Sequence, residues 1–211
     1  MSEKTITHQS KIYKLLEKAI PKNTLDYCYE IWLNFPFHFK ITKDRRSKLG
    51  DYRYFHQSEL HIITINQGLN PYAFLITFIH EVAHRITMQK YGKRAKPHGK
   101  EWKQTYRSLL QPLLQQNIFP TDILIPLIKH TYQPKASSCA DPVLYQVLKK
   151  YDVNNLSNST FLNEIKVGEK FIFRDKIYIK EVTKRTRALC KELATGKKWL
   201  IPLVMEVEYS T

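Results

Sequence analysis

The chain has 211 residues, 34 of them Lys or Arg against 19 Asp or Glu, for a net charge of +15 and a pI near 9.6. Its 43% hydrophobic content excludes a disordered chain and suffices for one good-sized domain with a small second one. No stretch approaches the roughly 18 apolar residues of a membrane span, and the start, MSEKTITHQSKIYK, lacks the apolar segment of a secretory signal, so a cytoplasmic protein without a membrane partner is expected.

In chain order, Ile12, Leu15, Leu16, Ala19 and Ile20 fall at helical spacing, ended by Pro21. Thr24 is placed to cap a second helix carrying Leu25, Cys28, Ile31 and Trp32. Alternation then takes over at Phe37, Phe39 and Ile41, and strands follow at Leu49–Phe55 and His61–Asn66, with a basic loop (Lys43 to Lys48) between the first two. Pro71 opens a central helix over 72–91, which Gly92 stops. A helix from about Gly99 to Gln116 is predicted next, with Pro112 as a kink, then shorter helices over about 121–131 and 141–151. An Asn- and Ser-rich linker at 152–160 separates these elements from a β-textured segment, where Phe171/Phe173, Ile177/Ile179 and Trp199/Ile201 alternate. The predicted fold is α+β, with one domain over 1–151, the linker over 152–160 and a small β-rich domain over 161–211, an antiparallel sheet or barrel.

His80-Glu81-Val82-Ala83-His84 has the pattern H-E-x-x-H. Residues four apart share a helix face, so both imidazoles reach one ion, and zinc (Zn2+) takes imidazole nitrogen while keeping a position open for water in catalytic sites. Glu81 stands beside the metal, placed to take a proton from water. At about 100° per residue, His80, Thr77, His84 and Glu81 occupy one edge of the helix, and Phe78, Val82, Ile86, Ile79, Ala83 and Ile76 fill the other side. A third ligand is expected downstream: His98, 14 residues after His84, or its rival Glu101, because His-His-Glu sites also occur. The short-spaced metzincin pattern fails, since position 90 is Lys90. His8, His38, His56, His61 and His130 are scattered and read as ordinary surface or strand histidines.

Taken together, His80-Glu81-x-x-His84 and His98-Gly99-x-x-Trp102 resemble the SprT-like metallopeptidases, the group that includes Spartan, over roughly residues 10–150. The resemblance implies a zincin-like core; with the strands read above, the expected fold is that core with a small antiparallel sheet, followed by the C-terminal β domain that the alternation predicts. It also implies zinc held by His80, His84 and His98, with Glu81 as base. It further implies a link to DNA, since Spartan-like members cleave proteins crosslinked to DNA. The C-terminal side departs from bacterial relatives that carry a Cys-rich zinc ribbon: Cys28, Cys139 and Cys190 are far apart, no CxxC exists, and a second zinc site is not expected.

The basic balance points to polyanions, with DNA, single-stranded or damaged, as the expected partner beside a protein substrate. Lys93, Arg94 and Lys96 bracket His98, and Lys184, Arg185 and Arg187 lie in the β segment; both sets are candidate phosphate contacts. Tyr178 and Trp199 are candidates for base stacking, with core packing the simpler role for Trp199. Peptide-bond hydrolysis is the expected reaction, with the substrate extended along an edge strand taken to be His61–Asn66. A nucleic-acid-binding regulator with an idle metal site and a hydrolase of a non-peptide substrate are the alternatives.

Overall fold

The computed structural model describes residues 3–45, 48–115, 117–134, 141–152 and 159–210, with side chains from residue 11 onward. The chain divides into two units, 1–148 and 149–211. Among the described residues the fold is mixed α+β: six α-helices with a three-stranded sheet in the first part and a separate six-stranded antiparallel sheet in the second. No helix among the described residues is long and apolar enough to cross a membrane.

In the first unit, α1 (Glu3–Ala19) buries Ile12 and Leu16. α2 (Leu25–Asn34) buries Leu25, Cys28, Ile31 and Trp32, as their spacing predicts. Thr24 does not cap α2. Its hydroxyl donates to the Pro21 carbonyl at 2.7 Å and closes the 3-10 turn Lys22–Thr24 instead.

Strands β1 (His38–Thr42), β2 (Gly50–Phe55) and β3 (Leu60–Asn66) form a sheet in the order β1-β3-β2. The sheet is mixed rather than antiparallel, because β1 runs parallel to β3 while β2 runs antiparallel to it. The stretch His61–Asn66 is therefore the central strand and not an edge. Burial explains the choice: Ile63 and Ile65 are fully buried, whereas β2 has no fully buried residue.

α3 (Pro71–Tyr91) lies against this sheet, with Phe78 packed on Phe37 and Phe39 at ring-centroid distances of 6.1 and 5.8 Å. Its start is fixed by Asn70, whose Oδ1 accepts the Ala73 N–H at 3.0 Å, a capping bond that satisfies one of the free amides of the first turn. Its end is Gly92, at φ +60. α4 (Lys100–Leu110) buries Trp102, Tyr106 and Leu110 and then yields to a 3-10 turn, Gln111–Leu113, at Pro112. The helix predicted to reach Gln116 thus stops at the proline, which has no N–H to continue it. α5 (Thr121–Tyr132) and α6 (Pro142–Lys149) complete the unit.

The second unit carries β4 (Ser159–Phe161), β5 (Lys170–Phe173), β6 (Lys176–Thr183), β7 (Arg187–Glu192), β8 (Lys198–Pro202) and β9 (Glu206–Tyr209), in the order β4-β9-β5-β6-β7-β8. Ser159 and Thr160, read from sequence as linker, belong to β4; residues 153–158 of that linker, and Cys139, lie outside the described residues. Leu162, Phe171, Tyr178, Cys190, Ile201 and Val207 build the core. Tyr178 stacks on Phe171 at 5.7 Å within it and is not free to stack a base. Trp199 is the reverse case: it is half exposed, and its indole N–H donates to Glu192 at 3.1 Å. Lys180 is buried, yet its ammonium donates to the Leu162 and Ile165 carbonyls at 2.8 and 2.6 Å, which offsets its desolvation.

Candidate metal centre

His80 and His84 project from successive turns of α3, and His98 reaches them from the connection between α3 and α4. The three Nε2 atoms stand 3.1 Å (His80–His98), 3.3 Å (His80–His84) and 3.0 Å (His84–His98) apart. A tetrahedral zinc with bonds of about 2.0–2.1 Å sets its ligand nitrogens about 3.3–3.4 Å apart, so the triangle fits such an ion to within a few tenths of an ångström. The donor set fits as well. Burial and the neighbouring imidazoles push His80 down to about 2 and His84 down to about 3, and burial followed by the Lys103 charge lowers His98, so all three are neutral at physiological pH. Neutral imidazole is the form that binds metal. Among the described residues, this is the group of His, Cys, Asp and Glu side chains with the geometry of a metal site; Glu101 does not join it.

Trp102 underlies the cluster. Its ring lies 4.6, 5.2 and 4.7 Å from those of His80, His84 and His98, and Tyr106 stacks behind it at 5.0 Å. Both aromatic side chains are fully buried, so α4 fixes the imidazoles from below. His98 holds a backbone φ of +58, a conformation that costs a residue with a Cβ and that recurs at functional sites.

Glu81 is 6% exposed. Its carboxylate lies against Gly50 at the start of β2 and accepts the backbone N–H of Tyr52. Burial first, and then the Asp51 charge, push its pKa up to about 8, opposed by Arg45, the Tyr52 N–H and Lys48. A Cβ at Gly50 would stand 2.6 Å from Glu81 Oε1 and 2.7 Å from Thr77 Cγ2, so the absence of a side chain there makes room for the carboxylate. Helical periodicity alone gives α3 one apolar side with a chemical edge. In the structure that edge is also buried, under β2 and α4, apart from the half-buried His84.

A cavity of about 430 Å³ opens over the cluster. Gly50, Asp51, Tyr52, Tyr54 and His56 line one wall, Thr87, Met88 and Trp102 contribute from the helices, and Ala95, Lys96 and Pro97 form the rim beside His98. Two buried polar atoms of residues bordering it, Thr87 Oγ1 and Trp102 Nε1, have no hydrogen-bond partner among the described residues.

The model of the SprT-like family matches residues 16–120, which contain Gly50, Glu81, the three histidines and Trp102. This chain belongs to the SprT-like family. Protein SprT of Vibrio parahaemolyticus serotype O3:K6 (strain RIMD 2210633) is 43% identical over 70 residues, which cover 33% of this chain and 42% of that protein. The shared segment is thus less than half of the curated relative. No solved structure matches the chain.

Outside the metal centre, the residues of this SprT-like chain singled out for nucleic acid fall in two places. Lys93 and Arg94 are exposed on the 3-10 turn Gly92–Arg94, and Lys96 is exposed on the cavity rim. Lys184 and Arg185 are exposed between β6 and β7, and Arg187 is exposed on β7. His130, read as an ordinary surface or strand histidine, is instead buried in α5, with Nδ1 3.1 Å from Asp141 Oδ2. Gly50, Tyr52 and His61 went unrecognised as site residues. Their signal is the alternation Gly50-Asp51-Tyr52-Arg53-Tyr54, which sets Gly50, Tyr52 and Tyr54 on one face of β2.

Proposed function

We propose that this SprT-like chain is a zinc metallopeptidase that hydrolyses peptide bonds in proteins associated with or crosslinked to DNA. The observation that carries this reading is the convergence of three imidazole nitrogens beside one buried carboxylate in an open cavity. His80, His84 and His98 would hold zinc, which when bound polarises a carbonyl and acidifies water. A fourth protein ligand would suit a structural site; none joins the three histidines among the described residues, which favours catalysis over the idle-site regulator.

The remaining work belongs to the chain. Burial raises the Glu81 pKa, and the charge of a bound divalent ion beside it would favour the ionised form, in which Glu81 accepts the proton of the attacking water and delivers it to the leaving amine. Strand β2, which has no strand on its outer side among the described residues, offers backbone groups to an extended substrate and lines the cavity, so the docking role falls to β2 and not to His61–Asn66. Lys93, Arg94 and Lys96, next to the third ligand, supply charge where a DNA-bound substrate would approach, and the net +15 supplies long-range attraction.

The test is cleavage of casein and histone by zinc-loaded protein, with and without single-stranded DNA, at low and high salt. Expected is cleavage that DNA stimulates and salt suppresses. Absence of cleavage with zinc bound would overturn the peptidase reading; cleavage indifferent to DNA would remove only the DNA link.

Gly50→Ala probes the same site from the strand side. The added methyl displaces Glu81 and Thr77, and overpacking of this kind costs about 1–3 kcal/mol. The variant should unfold at lower urea and lose turnover while keeping its zinc, because the atoms the added methyl meets first belong to Glu81 and Thr77 and not to a histidine.

A further inference from the structure

A hydrogen-bond donor from the chain would add to the metal's polarisation of the carbonyl as charge gathers on its oxygen, and neither the metal ligands nor Glu81 fills that role. We propose that the Tyr52 hydroxyl is this donor and that His61 is its positioning residue; the inference rests on the peptidase reading above. Tyr52 sits on β2 with its ring parallel to that of His84, at an interplanar angle of 2° and a centroid distance of 6.3 Å, and it lines the cavity that holds Glu81 and the three histidines. Its hydroxyl lies 2.8 Å from His61 Nδ1. His61 is itself fixed by the Tyr54 ring, stacked on it at 4.5 Å.

Of the other side-chain donors bordering the cavity, Trp102 Nε1 is sealed behind the histidine rings, Thr87 is buried in α3 a turn beyond His84, and Lys96 is an exposed ammonium on the rim. Tyr54 and His56 stand further along the chain than Tyr52 from Gly50, which lies against Glu81, and the Tyr54 ring is against those of His56 and His61. Tyr52 is half-buried, is held in place, and stands on the strand along which the substrate would lie.

With its proton on Nδ1, His61 donates to the phenol oxygen, and the phenol proton is left to point at the substrate. As the water oxygen bonds to the carbonyl carbon, the carbonyl π pair moves onto its oxygen and the water proton goes to Glu81. Tyr52 donates a hydrogen bond to that oxygen without losing its proton. When the pair returns and the C–N bond breaks, Glu81 passes the proton to the amine and the Tyr52 bond weakens. A donor placed where charge develops acts on the transition state more than on the ground state.

Tyr52→Phe keeps the ring beside His84 and deletes only the hydroxyl. Loss of one such donor lowers kcat by about 10²-fold or more, and KM, zinc affinity and Tm should stay at wild-type values. Affinity for a phosphinic peptide, whose tetrahedral anion mimics the developing charge, should fall at least about tenfold while affinity for the product peptide holds. His61→Ala should reproduce part of the loss, and His61→Asn, whose amide can still donate, should restore most of it. An active wild type with kcat of Tyr52→Phe within about twofold and unchanged phosphinic binding would overturn the assignment alone. A zinc-loaded wild type without peptidase activity would overturn the proposed function and this assignment with it.

Discussion

Glu81→Gln should abolish peptide cleavage, by about 10²–10⁴-fold or more, in a protein that still folds and still carries zinc. The substitution is nearly isosteric, and its amide oxygen can accept the Tyr52 N–H that the carboxylate accepts now. What disappears is the capacity to take a proton. Folding should not suffer, since burial already penalises the charged form of this side chain and the amide has no charge to desolvate. The measurements are kcat on a peptide substrate, zinc content after gel filtration and the melting temperature. Loss of activity at full zinc occupancy and unchanged Tm assigns the base to Glu81. Turnover within about tenfold of wild type would place the base elsewhere. The same variant separates catalysis from metal binding, which removal of a histidine cannot do.

The parts of this site that sequence made legible are local ones. His80, Glu81 and His84 lie within one turn and a third of helix, so 100° per residue fixes their relation before any tertiary contact is known. Gly92 and Pro112 end their helices for reasons carried by their own backbones. Sheet order is different. That β3 is central follows from Ile63 and Ile65 being buried while β2 keeps an open edge, a comparison no single strand contains. The role of Gly50 depends on how closely β2 approaches α3, and the pairing of Tyr52 with His61 depends on a strand register that sets Tyr52 opposite Ile63 and Tyr54 opposite His61. Similarly, β4 and β9 are three and four residues long, too short to show alternation, and each is defined by a partner far away in sequence. Thr24 has the chemistry of a cap but spends its hydroxyl on Pro21, because the tight turn offers a nearer carbonyl.

His98→Ala should lower zinc affinity by far more than the roughly 10–100-fold that follows loss of an outer-shell partner, since it removes one of three ligand nitrogens. A ligand that binds the folded state raises its melting temperature by mass action, so zinc should shift Tm upward in the wild type and hardly at all in the variant. The metal-free forms make the comparison sharper. His98 is half-buried, and its truncation opens no closed core cavity, so metal-free His98→Ala should melt close to metal-free wild type. His98→Gly goes further. At φ +58 a residue with a Cβ is strained by about 1–2 kcal/mol and glycine is not, so the glycine variant should be the more stable of the two in the absence of metal. A metal-free His98→Gly that is more stable than wild type yet blind to zinc would mean that the backbone at this position is held in an unfavourable conformation for the sake of the ligand. Equal zinc-induced shifts in all three proteins would remove His98 from the site and leave α3 to bind the metal with two histidines.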